Sequence, residues 1–244
     1  MLDYYEKFHT LLQKGIFMKK IVQQNLIDEY YNHFPLTDYF NFDIRPYVSI
    51  VQFESDEVIM QIGRAEGTAP AHLYYLINGR AKLFLSHENG CISLINFLNA
   101  PCFIGEMELI GAQNTSNGIT AITECTCYAI NISSCKHKIL EDIRFLRHLC
   151  LFLSQKAIGN TYNYSRNQSY PLDVRLANFI LLTSQNGYYR EKHTESSEFL
   201  GVTYRHLLYV LADFVKRGIL TKTNSGYYIS NLAALQKLAH CTQY

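Results

Sequence analysis

Two short helical patterns separated by a glycine, at residues 194–216, constrain this chain more than any other segment. Thr194 is a good N-cap, and Glu195 lies where the first turn of a helix is electropositive. The first helix is predicted to end at Leu200, and Gly201 supplies the backbone freedom that a tight turn requires. The segment therefore predicts two helices joined by a sharp turn.

The second helix of this segment is predicted to begin at a Thr203 cap and to be amphipathic. Its apolar positions recur at helical spacing and are Leu207, Leu208, Val210, Leu211, Phe214 and Val215. The other faces carry Tyr204, Arg205, His206, Tyr209 and Lys216. An arginine early in the second helix of such a pair is typical of a helix-turn-helix that presents a helix to the major groove. An ordinary helical hairpin within a core is the alternative.

The length and charge of the chain limit the classes of function. With 244 residues, of which 48% are hydrophobic, it can bury one large core or two small ones. A net charge of +1 means that any surface that binds nucleic acid must be local. Charged residues interrupt the first twenty positions, and no run approaches the roughly 20 apolar residues of a membrane span. The seven cysteines form no paired framework, so we expect a cytoplasmic protein without membrane contact.

Short strands separated by turns are predicted in residues 45–140, after a helical N-terminal extension at 1–44. The strand patterns cover 48–53, 58–62, 73–77, 81–85, 91–98 and 119–132. Asn89 and Gly90 indicate a hairpin because both residue types accept positive φ. Strands at this spacing indicate a closed roll or sandwich.

Residues 141–170 are predicted to form a long helix and a hinge. Apolar and small residues recur along it in steps of three and four, at Ile143, Leu146, Cys150, Leu153, Ala157 and Thr161. This row predicts a seam with the same helix of a second copy, and packing against its own roll is the alternative. Residues 171–244 add a further helix, the helix-turn-helix, a hairpin wing turning at 224–226 and a final helix. The predicted fold class is therefore α+β.

One segment of the strand region resembles a known family. Residues 101–110 read P-C-F-I-G-E-M-E-L-I and are similar to a segment of the Crp/Fnr family of bacterial transcription regulators. Further segments resemble the YeiL-type members of that family: A-P-C-F-I-G-E, N-Q-S-Y-P-L, A-N-F-I-L-L, E-K-H-T and L-G-V-T-Y-R-H-L-L-Y-V-L-A. The resemblance implies a cyclic-nucleotide-binding-like β-roll, a dimerisation helix and a C-terminal winged helix-turn-helix. The implied partners are double-stranded DNA, a second copy of the chain and RNA polymerase.

The resemblance also implies an effector pocket, which is degenerate in this sequence. In relatives that bind cyclic AMP, a Gly-Glu pair helps to hold the ribose and a later Arg-Ser pair holds the phosphate. Gly105 and Glu106 match the first pair, whereas the later position falls near Ser116 without an arginine. The positions that contact the base fall near Tyr162 and Asn163, which is another mismatch. Because a buried phosphate without a cationic partner is costly, we expect no tight binding of cyclic AMP. The switch is then a different small molecule, a redox signal, or none.

The second helix of the helix-turn-helix departs from the common family pattern, so a different operator sequence is expected. Arg205 has the chemistry to chelate O6 and N7 of a guanine. Phosphate and thymine-methyl contacts are expected from its neighbours and from the wing. The candidate DNA-contact residues are Thr203, Tyr204, Arg205, His206, Tyr209, Lys216 and Lys222.

Other classes of function receive less support from the residues. Two thiols on one strand, Cys125 and Cys127, suggest a redox or iron–sulfur sensor, but neither four-cysteine spacing pattern is present. Buried cysteines acting as small hydrophobes are the simpler interpretation. A metal-dependent enzyme on a similar barrel needs clustered ligands, and His72 and His87 are far apart, so we expect no enzyme, cofactor or metal site. A roll that senses a ligand and acts on a protein partner is the remaining alternative.

Overall fold

The computed structural model of the chain describes residues 19–61, 72–86, 92–112 and 117–240. The chain divides into two compact units, Met1–Ser154 and Gln155–Tyr244. Within the described residues, no helix is both long and apolar enough to cross a membrane.

The first unit contains two antiparallel sheets that form the predicted roll. Its described strands are β1 Lys19–Ile21, β2 Val48–Phe53, β3 Val58–Met60, β4 His72–Asn78, β5 Arg80–Ser86, β6 Ile92–Asn99, β7 Cys102–Ile104, β8 Gly118–Ala121 and β9 Cys125–Asn131. One sheet has the order β1-β2-β9-β4-β7, and the other has the order β3-β8-β5-β6. The predicted Asn89 and Gly90 turn lies outside the described residues. The strands on either side of it, β5 and β6, pair antiparallel, as a hairpin requires.

Tertiary contacts divide one predicted strand and add two others. The 119–132 pattern is split at residues 122–124, where the amide of Ile122 donates to Arg80 O at 2.7 Å and Thr123 Oγ1 accepts from the Arg80 amide at 3.0 Å. Residues 19–21, predicted to be helical, instead form an edge strand on β2. The short strand β7 was not predicted, and it pairs with β4.

The helices of the first unit pack against the outside of the roll. They are α1 Gln24–His33, α2 Glu106–Leu109, α3 Ile132–Glu141 and α4 Ile143–Ser169, the last of which continues into the second unit. Side chains alternate along β2, so Ile50 joins an outer core with Phe145, while Val51 and Phe53 join a core inside the roll. The roll therefore buries both faces of this sheet.

The long helix α4 uses part of its predicted seam for its own core. Leu146 and Leu153 are half-buried against the outer core of the first unit, where Phe145 and Leu149 are fully buried. The exposed row instead consists of Cys150, Leu151, Ala157, Ile158, Thr161 and Tyr162. The inward face therefore packs against the chain's own roll, and the seam with a second copy stays a prediction for the exposed face.

The second unit has the predicted order of elements, with one strand, Tyr188–Tyr189, that was not predicted. They are α5 Leu172–Thr183, β10 Tyr188–Tyr189, α6 His193–Phe199, α7 Tyr204–Lys216, β11 Leu220–Thr223, β12 Gly226–Ile229 and α8 Leu232–His240. The three strands form a sheet of order β10-β12-β11, whose β11–β12 hairpin is the predicted wing. Leu207, Leu211 and Phe214 of α7 are fully buried in this unit.

Candidate nucleic-acid interface

The turn between α6 and α7 has the geometry that the sequence predicts. Helix α6 ends at Phe199 with Leu200 as its C-cap, and Gly201 has a φ of +62°, a conformation that few residues other than glycine adopt. The amide of Val202 donates to Ser197 O at 2.9 Å. Thr203 then caps α7, because its hydroxyl accepts from the amide of His206 at 3.3 Å.

The start of α6 corrects the prediction that Thr194 is its cap. The helix begins at His193, and Lys192 holds the cap position without a side-chain bond. Ser196 is buried, donates to Lys192 O at 2.9 Å and contacts the Tyr189 hydroxyl at 2.7 Å. With these tertiary contacts the helix begins two residues earlier than a Thr194 cap would place it.

Arg175 connects the beginning of α5 to the helix-turn-helix. Its guanidinium donates to the carbonyl of Leu200, the last residue before the turn, and to Tyr170 O at 2.9 Å. Partial burial lowers the pKa of Arg175 below its ordinary value. The arginine therefore fixes the position of the turn that precedes α7.

Helix α7 exposes one polar face opposite its buried one. Arg205, Tyr209 and Lys216 are spaced by four and seven residues, so they lie on the same side of the helix. Tyr209 exposes 74% of its surface, whereas Leu211 exposes none. All seven predicted DNA-contact residues are exposed: Thr203, Tyr204, Arg205, His206, Tyr209, Lys216 and Lys222.

A ring cluster links the two helices of the motif to the wing. The His193 ring lies 6.2 Å from that of Tyr204 on α7 and 5.8 Å from that of Tyr227 on β12. Burial, and secondarily the charge of Lys222, lowers the pKa of His193 below its ordinary value. Sequence reasoning did not identify His193, because its two contacts lie 11 and 34 positions away in the chain.

The second unit is positively charged, although the net charge of the whole chain is only +1. Residues 155–244 contain ten Lys and Arg against five Asp and Glu, a net charge of +5. The remaining residues contain 12 against 16, a net charge of −4. Arg217, a further phosphate candidate, donates to Asp213 at 3.2 Å, which reduces its availability to DNA. A polyanion is therefore attracted to one half of the chain.

The predicted effector position at Gly105 and Glu106 is a tight corner of the roll. Gly105 has a φ of +92°, and a Cβ there would lie 3.0 Å from Met60 Cε, so the corner requires glycine. Glu106 follows it at the start of α2 with 3% of its surface exposed. Ser116 lies outside the described residues. Tyr162 is exposed on the part of α4 that belongs to the second unit, and Asn163 follows it in the same helix.

The two thiols that suggested a redox sensor lie inside the roll. Cys125 and Cys127 are fully buried, and burial raises the pKa of the Cys125 thiol to about 11. A thiol held protonated in this way is a poor nucleophile and metal ligand. Across the described ranges, no group of three or more His, Cys, Asp or Glu side chains is placed to hold a metal ion.

Comparisons with known proteins agree with the architecture of both units. Residues 50–142 match the cyclic nucleotide-binding domain family. The chain is 45% identical over 202 residues to the regulatory protein YeiL of Escherichia coli O157:H7, covering 83% of this chain and 90% of that protein.

Two solved structures share the fold at low identity. A CRP/FNR-family transcriptional regulator from Thermus thermophilus aligns with a TM-score of 0.65 and 20% identity, over 78% of this chain and 97% of that chain. A crp/fnr-family protein from Eubacterium rectale aligns with a TM-score of 0.70 and 16% identity, over 85% and 99% respectively.

Proposed function

Because the chain belongs to the Crp/Fnr family of transcription regulators, among its YeiL-type members, we propose that it binds specific DNA sites as a homodimer and controls transcription there. The observation that supports DNA binding best is the exposed Arg205, Tyr209 and Lys216 face of α7. That face lies on a helix capped by Thr203, in a unit with a net charge of +5.

In this proposal α7 enters the major groove and Arg205 reads a guanine. The fork of a guanidinium matches O6 and N7 of that base, which a lysine cannot contact in the same bidentate way. Lys216 and Lys222 contact phosphates, so they contribute affinity and orientation but not sequence preference. In the same proposal Tyr204 and Tyr209, whose rings are exposed, contact thymine methyl groups or the backbone.

Dimerisation is supported by the exposed apolar row on α4. Leu151 exposes 58% of its surface and Ile158 exposes 70%, and they are one heptad apart. Two such helices side by side would bury the row, as a coiled coil does. A two-fold dimer would place its two α7 helices in major grooves about 34 Å apart, so the operator is expected to be palindromic. A regulator bound there is expected to act on RNA polymerase.

The test is to select binding sites from random DNA and then to measure affinity for the selected site by fluorescence anisotropy. Arg205→Ala should cost about 1–3 kcal/mol and relax preference at one base pair per half-site. Arg205→Lys should retain the charge and still lose that preference, whereas Lys237→Ala on the exposed face of α8 should change little. An equal loss of affinity for every sequence would show that Arg205 contacts a phosphate. If the selection enriches no DNA site, the proposed function is refuted.

A further inference from the structure

A cavity of about 480 Å³ lies in the first unit, apart from the Gly105 and Glu106 corner. It opens where β1 leaves β2. The two strands pair from Lys19 opposite Gln52 to Ile21 opposite Ile50, and the chain then turns into α1. The gap beside the first residues of β2 is therefore bounded by α1 on one side and the sheet on the other.

The lining of this cavity combines an apolar wall with a polar rim. Ile21, Ile27 and Val48 contribute the wall, and all three pack on the outer core. Lys20 and Tyr31 contribute to the rim. Cavities of this size and mixed character are typical of sites for small organic ligands.

The charges around the cavity leave one cation, Lys20, available to an anionic group. Two cations, Lys20 and Arg45, line it together with one carboxylate, Asp28. Arg45 is already held by Asp43, with bonds of 2.8 and 3.0 Å, and Asp28 accepts from the Gln24 amide at 2.9 Å. Among the residues that the structure describes, Lys20 has no ion-pair partner. With Asp43 counted beside Arg45, these four charges sum to zero, and Lys20 is the cation available to an anionic group.

Tyr31 adds a neutral hydrogen-bond donor to the same rim. Its ring is half-buried, and burial raises the pKa of its hydroxyl to about 12. The phenol therefore stays protonated at neutral pH and can donate to an anionic oxygen. Lys20 and Tyr31 lie on different elements, β1 and α1, so a ligand that contacts both would hold the two elements together.

We propose that this cavity is an effector site for a small organic monocarboxylate with an aliphatic body. Lys20 and the Tyr31 hydroxyl bind the carboxylate, and Ile21, Ile27 and Val48 contact the aliphatic part. The role of effector rests on the proposed function as a regulator, whereas the binding itself does not.

A continuous series of ring contacts joins the cavity to the beginning of α4. Tyr31 stacks on Tyr128 with centroids 5.0 Å apart, and Tyr128 lies 6.4 Å from Tyr75. Tyr75 contacts Phe103 at 4.8 Å, and Phe103 contacts Phe145 of α4 at 5.7 Å. Because packed rings transmit displacement, a ligand that orders Tyr31 biases the position of the helix that we propose to dimerise.

The binding test is isothermal titration calorimetry on the full chain with three probes of one carbon skeleton. The probes are 4-methylpentanoate, L-leucine, which adds an ammonium group, and 4-methylpentan-1-ol, which lacks the charge. Both carboxylates are expected to bind more tightly than the alcohol, by about tenfold or more. The ratio between 4-methylpentanoate and leucine then shows whether the natural ligand is a simple acid or an amino acid.

Two matched pairs of variants test the residues. Lys20→Met should weaken carboxylate binding about tenfold, while Lys19→Met, the adjacent exposed lysine outside the lining, should leave it unchanged. Tyr31→Phe should weaken binding and retain the ring stack, while Tyr30→Phe, half-buried one position earlier, should not.

Each outcome bears on one of the two proposals. A concentration of about 10 mM would detect binding far weaker than an ordinary effector shows. If neither carboxylate binds at that concentration, or if the alcohol binds equally well, the carboxylate site is refuted. If carboxylates bind and operator affinity does not change in anisotropy, the effector role is refuted. If the protein binds no DNA at all, the proposed function fails, and calorimetry still decides whether the site exists.

Discussion

Replacing Asp142 tests how firmly the N-terminal segment is joined to the long helix. Its carboxylate is buried between α3 and α4, with 6% of the residue exposed. Oδ1 accepts from the amides of Arg144 at 2.9 Å and Phe145 at 3.1 Å, which makes Asp142 the cap of α4. Asn41, a hundred positions earlier, donates to it from its backbone amide at 2.6 Å and from its side chain at 2.9 Å.

The expected cost of Asp142→Ala follows from these four bonds. Loss of a cap costs about 1 kcal/mol. A donor left without its partner costs about 1–3 kcal/mol when buried. Asn41 is exposed, so water can accept hydrogen bonds from the donors that Asp142 no longer pairs. We therefore take about 1–2 kcal/mol as the cost for its two donors. The sum is about 2–3 kcal/mol, and Asp142→Asn should cost less because its amide oxygen can still cap α4.

The assay is urea denaturation followed by circular dichroism, combined with hydrogen exchange of the residue 41 and residue 144–146 amides. Asp38→Ala, an exposed acid in the same N-terminal segment, serves as the control and should cost less than about 0.5 kcal/mol. If Asp142→Ala costs no more than this control, or if exchange at residue 41 is unchanged, the carboxylate does not hold the segment and the reasoning is refuted.

Three further predictions concern His193, the exposed row of α4 and the effector. The pKa of His193 is lower in the folded chain than in the unfolded chain, so as pH falls the unfolded chain binds the proton first. The stability that the neutral imidazole contributes is therefore present above the unfolded pKa of about 6.5 and is lost as pH falls through the folded pKa. In thermal melts, lowering the pH should reduce the melting temperature less in His193→Phe than in the unsubstituted protein. An equal dependence of melting temperature on pH in the two proteins would contradict this. Leu151→Glu and Ile158→Glu should each yield monomers in analytical ultracentrifugation, while the control Leu232→Glu, at a residue of α8 that is also exposed, should leave a dimer. Calorimetry should detect no micromolar binding of cyclic AMP, and such binding would show that a cation other than a family arginine holds the phosphate.

The predicted and observed site agree where the signal is local. The spacing of Leu207, Leu211 and Phe214 determines which face of α7 is buried, so the exposure of Arg205 and Tyr209 could be predicted from the sequence. The turn at Gly201 and the cap at Thr203 are local for the same reason, since each depends on residues within three positions. Resemblance to a family singled out Gly105 and Glu106 as an effector position, whereas the order of roll, long helix and helix-turn-helix was already predicted from the residue patterns.

Contacts between distant residues could not be predicted in this way. The start of α6 depends on Ser196 and Tyr189, and it overrides the preference of Thr194 to cap a helix. The His193 cluster and the cavity beside Tyr31 each bring together side chains from separate elements. Periodicity describes which face of an element is apolar, but it carries no information about which other element covers that face.

By itself, the sequence determined the spacing of apolar residues and the positions of the turns. These two features predict the strand-rich first half and the helix-turn-helix. Tertiary structure alone decided that residues 19–21 join the sheet and that Leu146 and Leu153 pack inward. It also left Leu151 and Ile158 exposed. The physical reason is that a helix with apolar residues on two sides can bury either one, and the choice depends on the shape of the surface against which it packs.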